Sequence, residues 1–109
     1  MQTDPSRLNW LSAVDAARAI RDGAVSSLEL VEACLERVQE VDAGVQAWAF
    51  LDPEAARAQA RAADDWRKEG KPTGPLHGVP VGLKDIIDTG DQPTEDGSVL
   101  HAGRLPDKD

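Results

Sequence analysis

Glycine and proline are distributed unevenly along the chain, and this restricts what it can fold into. Four of the seven prolines and five of the nine glycines fall between Lys71 and Gly97. Proline fixes φ and lacks an N–H, and glycine weakens helix and strand interiors, so no long helix fits there. The preceding residues are rich in helix formers. The sequence therefore reads as a helical region, 1–70, containing one strand, followed by a Gly/Pro-rich strand-loop segment, 71–109.

Helix boundaries are well marked. Ser12 precedes a first helix with Asp15 three residues on, and Gly23 closes it. Ser26 and Glu29 form a clearer capping box for a second helix, in which Leu28, Val31, Leu35 and Val38 recur as one apolar stripe. That helix is expected to end near Asp42-Ala43-Gly44. Val45 to Leu51 is almost wholly apolar and reads as a short strand. Asp52-Pro53 supplies an N-cap and a proline at the first helical position of a third helix, which Gly70 and Pro72 stop. Ala55, Ala58, Ala62 and Trp66 are its expected packing face. Val79 to Leu83 has strand character, with Pro80 tolerated near its start. Residues 91–109 read as loop and turn.

Composition removes several functional classes. The net charge of −8 is spread along the chain with no basic cluster, which argues against direct binding to nucleic acid or to anionic membranes. Cys34 is the only cysteine, so no internal disulfide and no thiolate zinc site can form, and its helical setting makes it a small packing residue. No apolar run approaches the ~20 residues of a membrane span, and the N-terminus has no signal-peptide pattern. A cytoplasmic address follows as the expectation. Trp10, Trp48 and Trp66 are far apart in sequence and read as core or interface anchors.

Lys84 is the residue that points to chemistry. It lies in Gly74-Pro75-Leu76-His77-Gly78-Val79-Pro80-Val81-Gly82-Leu83-Lys84-Asp85, flanked by Val81, Leu83, Ile86 and Ile87. Moving an ammonium away from water is costly, so a lysine in apolar surroundings needs a counter-ion or a role. The plain alternative is pairing with Asp85 or Asp88. The chemical one is a general base, since a buried lysine favours its neutral amine and can activate a serine without histidine. Gly82 leaves space beside it for another backbone or a substrate.

The Gly74–Asp85 segment resembles the lysine-bearing segment of the amidase signature family. Ile87-Asp88-Thr89, Pro93-Thr94, Gly97-Ser98 and the upstream Ser26-Ser27-Leu28-Glu29-Leu30-Val31 resemble that family too, so the likeness runs from about Ala13 to Pro106. The resemblance implies an α/β fold, of which this chain holds the N-terminal helices and first strands of a mixed sheet. It implies hydrolysis of a carboxamide C–N bond. A serine attacks the carbonyl, a second serine in a cis peptide relays the proton to the lysine, and backbone donors stabilise the oxyanion. Lys84 matches the lysine. The Gly/Ser-rich segment that carries both serines has no counterpart between Asp85 and Asp109, and Ser98 reads as a turn residue. The 109 residues are therefore expected to be the N-terminal portion of an amidase, inactive alone, with no metal and no cofactor.

Two other roles fit the same residues: part of the amidase subunit of a tRNA-dependent amidotransferase, with partner subunits holding the tRNA, or a non-catalytic interaction module. Oligomeric state stays open. A triad using His77 and Asp85 lacks the Gly-x-Ser-x-Gly elbow, and His77 and His101 both lie in turn-like sequence. Asp85, Asp88, Asp91, Glu95 and Asp96 do not follow the spacing of a Ca²⁺ loop. No Gly-rich phosphate loop is present.

Overall fold

A computed structural model describes residues 5–109. Its regular elements are a 3₁₀ turn, Pro5–Trp10, three α-helices, α1 (Ala13–Arg21), α2 (Ser27–Val45) and α3 (Pro53–Lys68), and a second 3₁₀ turn, Val99–His101. The chain forms two compact units. Among the described residues, one comprises 5–46 and 52–80, and the other 47–51 and 81–109.

The helical unit follows its local signals closely. Ser12 Oγ accepts the Asp15 amide at 3.1 Å and opens α1. Gly23, at φ +78°, closes it. There the Ala24 amide donates to the Ala19 carbonyl and the Gly23 amide to that of Ile20, the paired bonds of a Schellman end. At the start of α2 the full reciprocal box forms between Ser26 and Glu29. The core gathers Leu8, Ala16, Ala19, Ile20, Val25 and Leu30, with Leu11, Ala33, Cys34 and Val79 packed against it. Within the expected α2 stripe only Val31 is fully buried; Leu28, Leu35 and Val38 are half-buried, and Leu30 enters the core instead.

Three helical details differ from the pattern. First, α2 runs past Gly44 and ends in Gln46, a left-handed residue at φ 55° whose amide donates to the Asp42 carbonyl. Second, α3 turns a different face inward. Ala60 and Asp64 are buried and Ala56, Ala63 and Arg67 half-buried, while Ala55, Ala58, Ala62 and Trp66 face solvent. Alanine occupies so many α3 positions that it sets no helical phase, and the burial of Asp64 fixes the rotation. Third, the tryptophans are not core residues: Trp10, Trp48 and Trp66 are all exposed. Trp66 instead donates its indole N–H to the Pro72 carbonyl at 2.7 Å and carries Lys71 Nζ 4.5 Å from its ring centre.

The expected strands do not form. Val45 belongs to α2, and neither 46–51 nor 79–83 is a strand; the one isolated bridge among the described residues joins Thr89 and Gln92. An apolar β-rich segment becomes a strand only when a partner backbone completes its ladder. Neither segment has such a partner among the described residues, and Val81 and Leu83 remain exposed. The chain itself is thus helical, without a sheet among its described residues.

The second unit is held mainly by polar contacts. Trp48 lies against Gly82, where an added Cβ would meet the indole Cη2 at 3.3 Å. The space left by that glycine is therefore taken by an aromatic ring of the same unit. Thr94 is 1% exposed, whereas Val99, Leu100 and Leu105 are open to solvent.

Candidate functional site

The segment leading to the lysine is anchored within the helical unit. Asp64, on α3, accepts the Ser27 amide at 2.7 Å on one carboxylate oxygen and the Leu28 amide at 3.0 Å on the other. It thereby satisfies two of the N–H groups that the first turn of α2 leaves without helical partners. Ser27 Oγ, also buried, donates to the Gly78 carbonyl at 2.6 Å. Gly78 adopts φ +80°, and a Cβ there would sit 3.2 Å from Ser27 Cβ and 3.3 Å from Ile20 Cγ2. One residue earlier, His77 Nε2 lies 2.8 Å from the Ala63 carbonyl oxygen. A carbonyl only accepts, so that nitrogen carries the proton and donates. His77 thus holds the shape of the loop, and its ring is engaged with backbone.

In the second unit Lys84 begins a tight turn: its carbonyl accepts the Ile86 amide at 2.7 Å and the Ile87 amide at 3.1 Å. The side chain is exposed, and the flanking Val81, Leu83, Ile86 and Ile87 are each at least half exposed. Apolar neighbours in sequence therefore do not bury this lysine in the chain by itself. Burial would need surface that the described residues do not supply.

The simple ion-pair explanation of Lys84 is not what the structure contains. Asp85 Oδ1 accepts the Glu95 amide at 2.8 Å, and Asp88 takes the two-pronged guanidinium of Arg104 at 2.7 and 2.9 Å. That fork holds the Asp88 carboxyl below its ordinary range. Lys84 makes no ion pair among the described residues. It lines an open depression of about 200 Å³ together with Trp48, Phe50, Leu83, Asp85 and Ile87, all in the same unit. Among the described residues no ion pair holds the amine, which borders this partly aromatic hollow.

The other polar candidates have local duties. Ser98 Oγ accepts the Leu100 amide at 3.2 Å and caps the short 3₁₀ turn, as its turn-like sequence suggests. Glu95 Oε2 accepts the Gly103 amide at 2.6 Å. Among the described residues, no three His, Cys, Asp or Glu side chains converge as a metal site would require. No helix among them is long and apolar enough to cross a membrane. Asp64 was missed by sequence reasoning, since it looks like any charged helix residue. Thr94 stood out only within the Pro93-Thr94 resemblance, which gave it no structural role.

The profile of the amidase family matches residues 29–109, spanning most of α2, all of α3 and the whole Lys84 segment. The chain belongs to the amidase family. Among curated relatives it is 42% identical over 101 residues to a glutamyl-tRNA(Gln) amidotransferase subunit of Chloroflexus aggregans, covering 93% of this chain and 21% of that protein. The subunit of the same name from Streptomyces coelicolor is 42% identical over 99 residues, covering 91% of this chain and 20% of the relative. A Mycobacterium bovis protein with the provisional name amidase AmiD is 38% identical over 97 residues, covering 89% and 20%. This amidase-family chain thus spans about a fifth of the length of the curated relatives it matches.

Proposed function

We propose that Lys84 is the proton acceptor of a serine amidase that hydrolyses a carboxamide C–N bond. In the complete enzyme the helices and the Gly/Pro-rich segment of this chain form the start of an α/β domain with a mixed sheet. The neutral amine takes the proton passed from the nucleophilic serine through a second serine as the serine oxygen bonds to the amide carbon. That proton then goes to the departing nitrogen as the C–N bond breaks. Neither serine is assigned to a residue of this chain, so the isolated 109 residues are expected to show no hydrolysis. The observation that carries the reading is Lys84 itself. It sits inside the family match, and no carboxylate of its own loop holds it.

A second reading rests on the names of the relatives: the complete protein is the amidase subunit of a tRNA-dependent amidotransferase, releasing ammonia for its partner protein. Both readings give Lys84 the same task and differ in the fate of the nitrogen. The test fuses this chain in frame to the remaining part of the Chloroflexus aggregans relative, in place of its own matching residues. Amide hydrolysis by the fusion, abolished by Lys84→Ala, is the expected result. Full activity of the Lys84→Ala fusion would overturn the proposal.

A further inference from the structure

We infer that Thr94 and Asp85 are positioning residues for Lys84, forming a clasp that sets the backbone turn from which the lysine projects. The inference rests on the reading of Lys84 as the proton acceptor.

The second unit buries its residues in an unusual order. It leaves Val81, Leu83, Ile86, Ile87, Val99 and Leu100 exposed, yet encloses the hydroxyl-bearing Thr94 almost completely. No apolar side chain of this unit is fully buried. Its most enclosed residue is instead held by directed hydrogen bonds, and these converge on the lysine turn.

Thr94 uses all its polar groups. Its hydroxyl donates to the Ile87 carbonyl at 3.1 Å, its amide to the Arg104 carbonyl at 3.1 Å, and its own carbonyl accepts from Arg104 Nη1 at 3.3 Å. The next residue, Glu95, donates its amide to Asp85 Oδ1. Two adjacent residues thus grip Asp85 and Ile87, the residue after Lys84 and the one that closes its turn. Arg104 locks the clasp by forking onto Asp88.

Within 84–88 every charged side chain except Lys84 is engaged in holding the loop. Such a division of labour suits a site that must present one amine in a fixed place. An error of about 1 Å in placing a catalytic group can reduce turnover about 100-fold.

The test uses Thr94→Val, which keeps the shape and removes the hydroxyl, with Thr94→Ser as the conservative rescue. In the 109-residue chain, hydrogen exchange at the Ile86 and Ile87 amides should speed up in Thr94→Val, recover in Thr94→Ser, and leave Leu30 unchanged. In the fusion enzyme, Thr94→Val should lower kcat by about 10- to 100-fold with KM preserved, and Thr94→Ser should restore it. Unchanged exchange at Ile86 and Ile87, or a parental kcat for Thr94→Val while Lys84→Ala is dead, overturns the positioning role alone. An active Lys84→Ala fusion instead removes the reading beneath it.

Discussion

Asp64 caps a helix that begins 37 residues before it, its Oδ1 2.7 Å from the Ser27 amide nitrogen. Ser27 in turn holds the Gly78 carbonyl, so one carboxylate on α3 organises both the start of α2 and the entry to the lysine segment. Replacing Asp64 with alanine strands two backbone N–H groups at a largely buried site. Stability should fall by about 2–4 kcal/mol in urea unfolding. A loss below about 0.5 kcal/mol, the range of ordinary surface substitutions, would show that the cap is decorative.

Gly78 and Gly70 separate two costs of adding a methyl group. Both have positive φ, but a Cβ at Gly70 meets open space whereas one at Gly78 meets Ser27 and Ile20. Gly70→Ala should cost about 1–2 kcal/mol, from left-handed backbone alone. Gly78→Ala adds crowding against packed side chains and should cost about 2–4 kcal/mol. Equal losses at the two positions would mean that the close approach at Gly78 relaxes freely.

The Asp88–Arg104 pair makes the second unit sensitive to acid. The Arg104 guanidinium lowers the Asp88 carboxyl from its ordinary value of 3.8. A carboxylate whose folded value is depressed stabilises the fold above its unfolded value, and that contribution disappears as pH falls through the folded value. Protection of the Thr94 amide should therefore weaken below about pH 4, modestly because the pair is partly exposed. Arg104→Leu should return the Asp88 carboxyl titration, followed by ¹³C NMR, to the ordinary range. An unmoved midpoint would count against the fork.

Cys34 packs against the helical core, and burial pushes its thiol up from its ordinary value of 9.0. The thiol form is unreactive, so a disulfide reagent at pH 8 should modify native Cys34 several-fold more slowly than the urea-unfolded chain. Equal rates would place the sulfur in solvent.

The helices were legible because their ends are written in adjacent residues. Ser26 with Glu29, and Asp52 with Pro53, satisfy amides three residues away or pre-set φ, and both caps form as expected. Rotation about a helix axis is a different matter. The alanines of α3 leave its phase unspecified, and what fixes it, Asp64 beneath α2, is a contact 37 positions long that no local pattern encodes. The strands failed for a related reason: Val45–Leu51 and Val79–Leu83 have the right side chains, but a ladder is a property of two backbones. At the candidate site, Lys84 was singled out by its glycine and proline frame together with the resemblance to the amidase signature family. Its burial, by contrast, was inferred from sequence neighbours that in fact face solvent. The clasp around it, Asp85, Thr94 and Arg104, joins residues up to 19 apart in number and had no local signature.

The central claim is that Lys84 accepts a proton, which an arginine cannot do because it stays protonated. The most direct measurement is kcat for carboxamide hydrolysis by the fusion enzyme carrying Lys84→Arg. A loss of about 100- to 10,000-fold with the fold intact is the predicted result. Retention of parental kcat would contradict it, and would leave Lys84 as a charge that binds rather than a base that reacts.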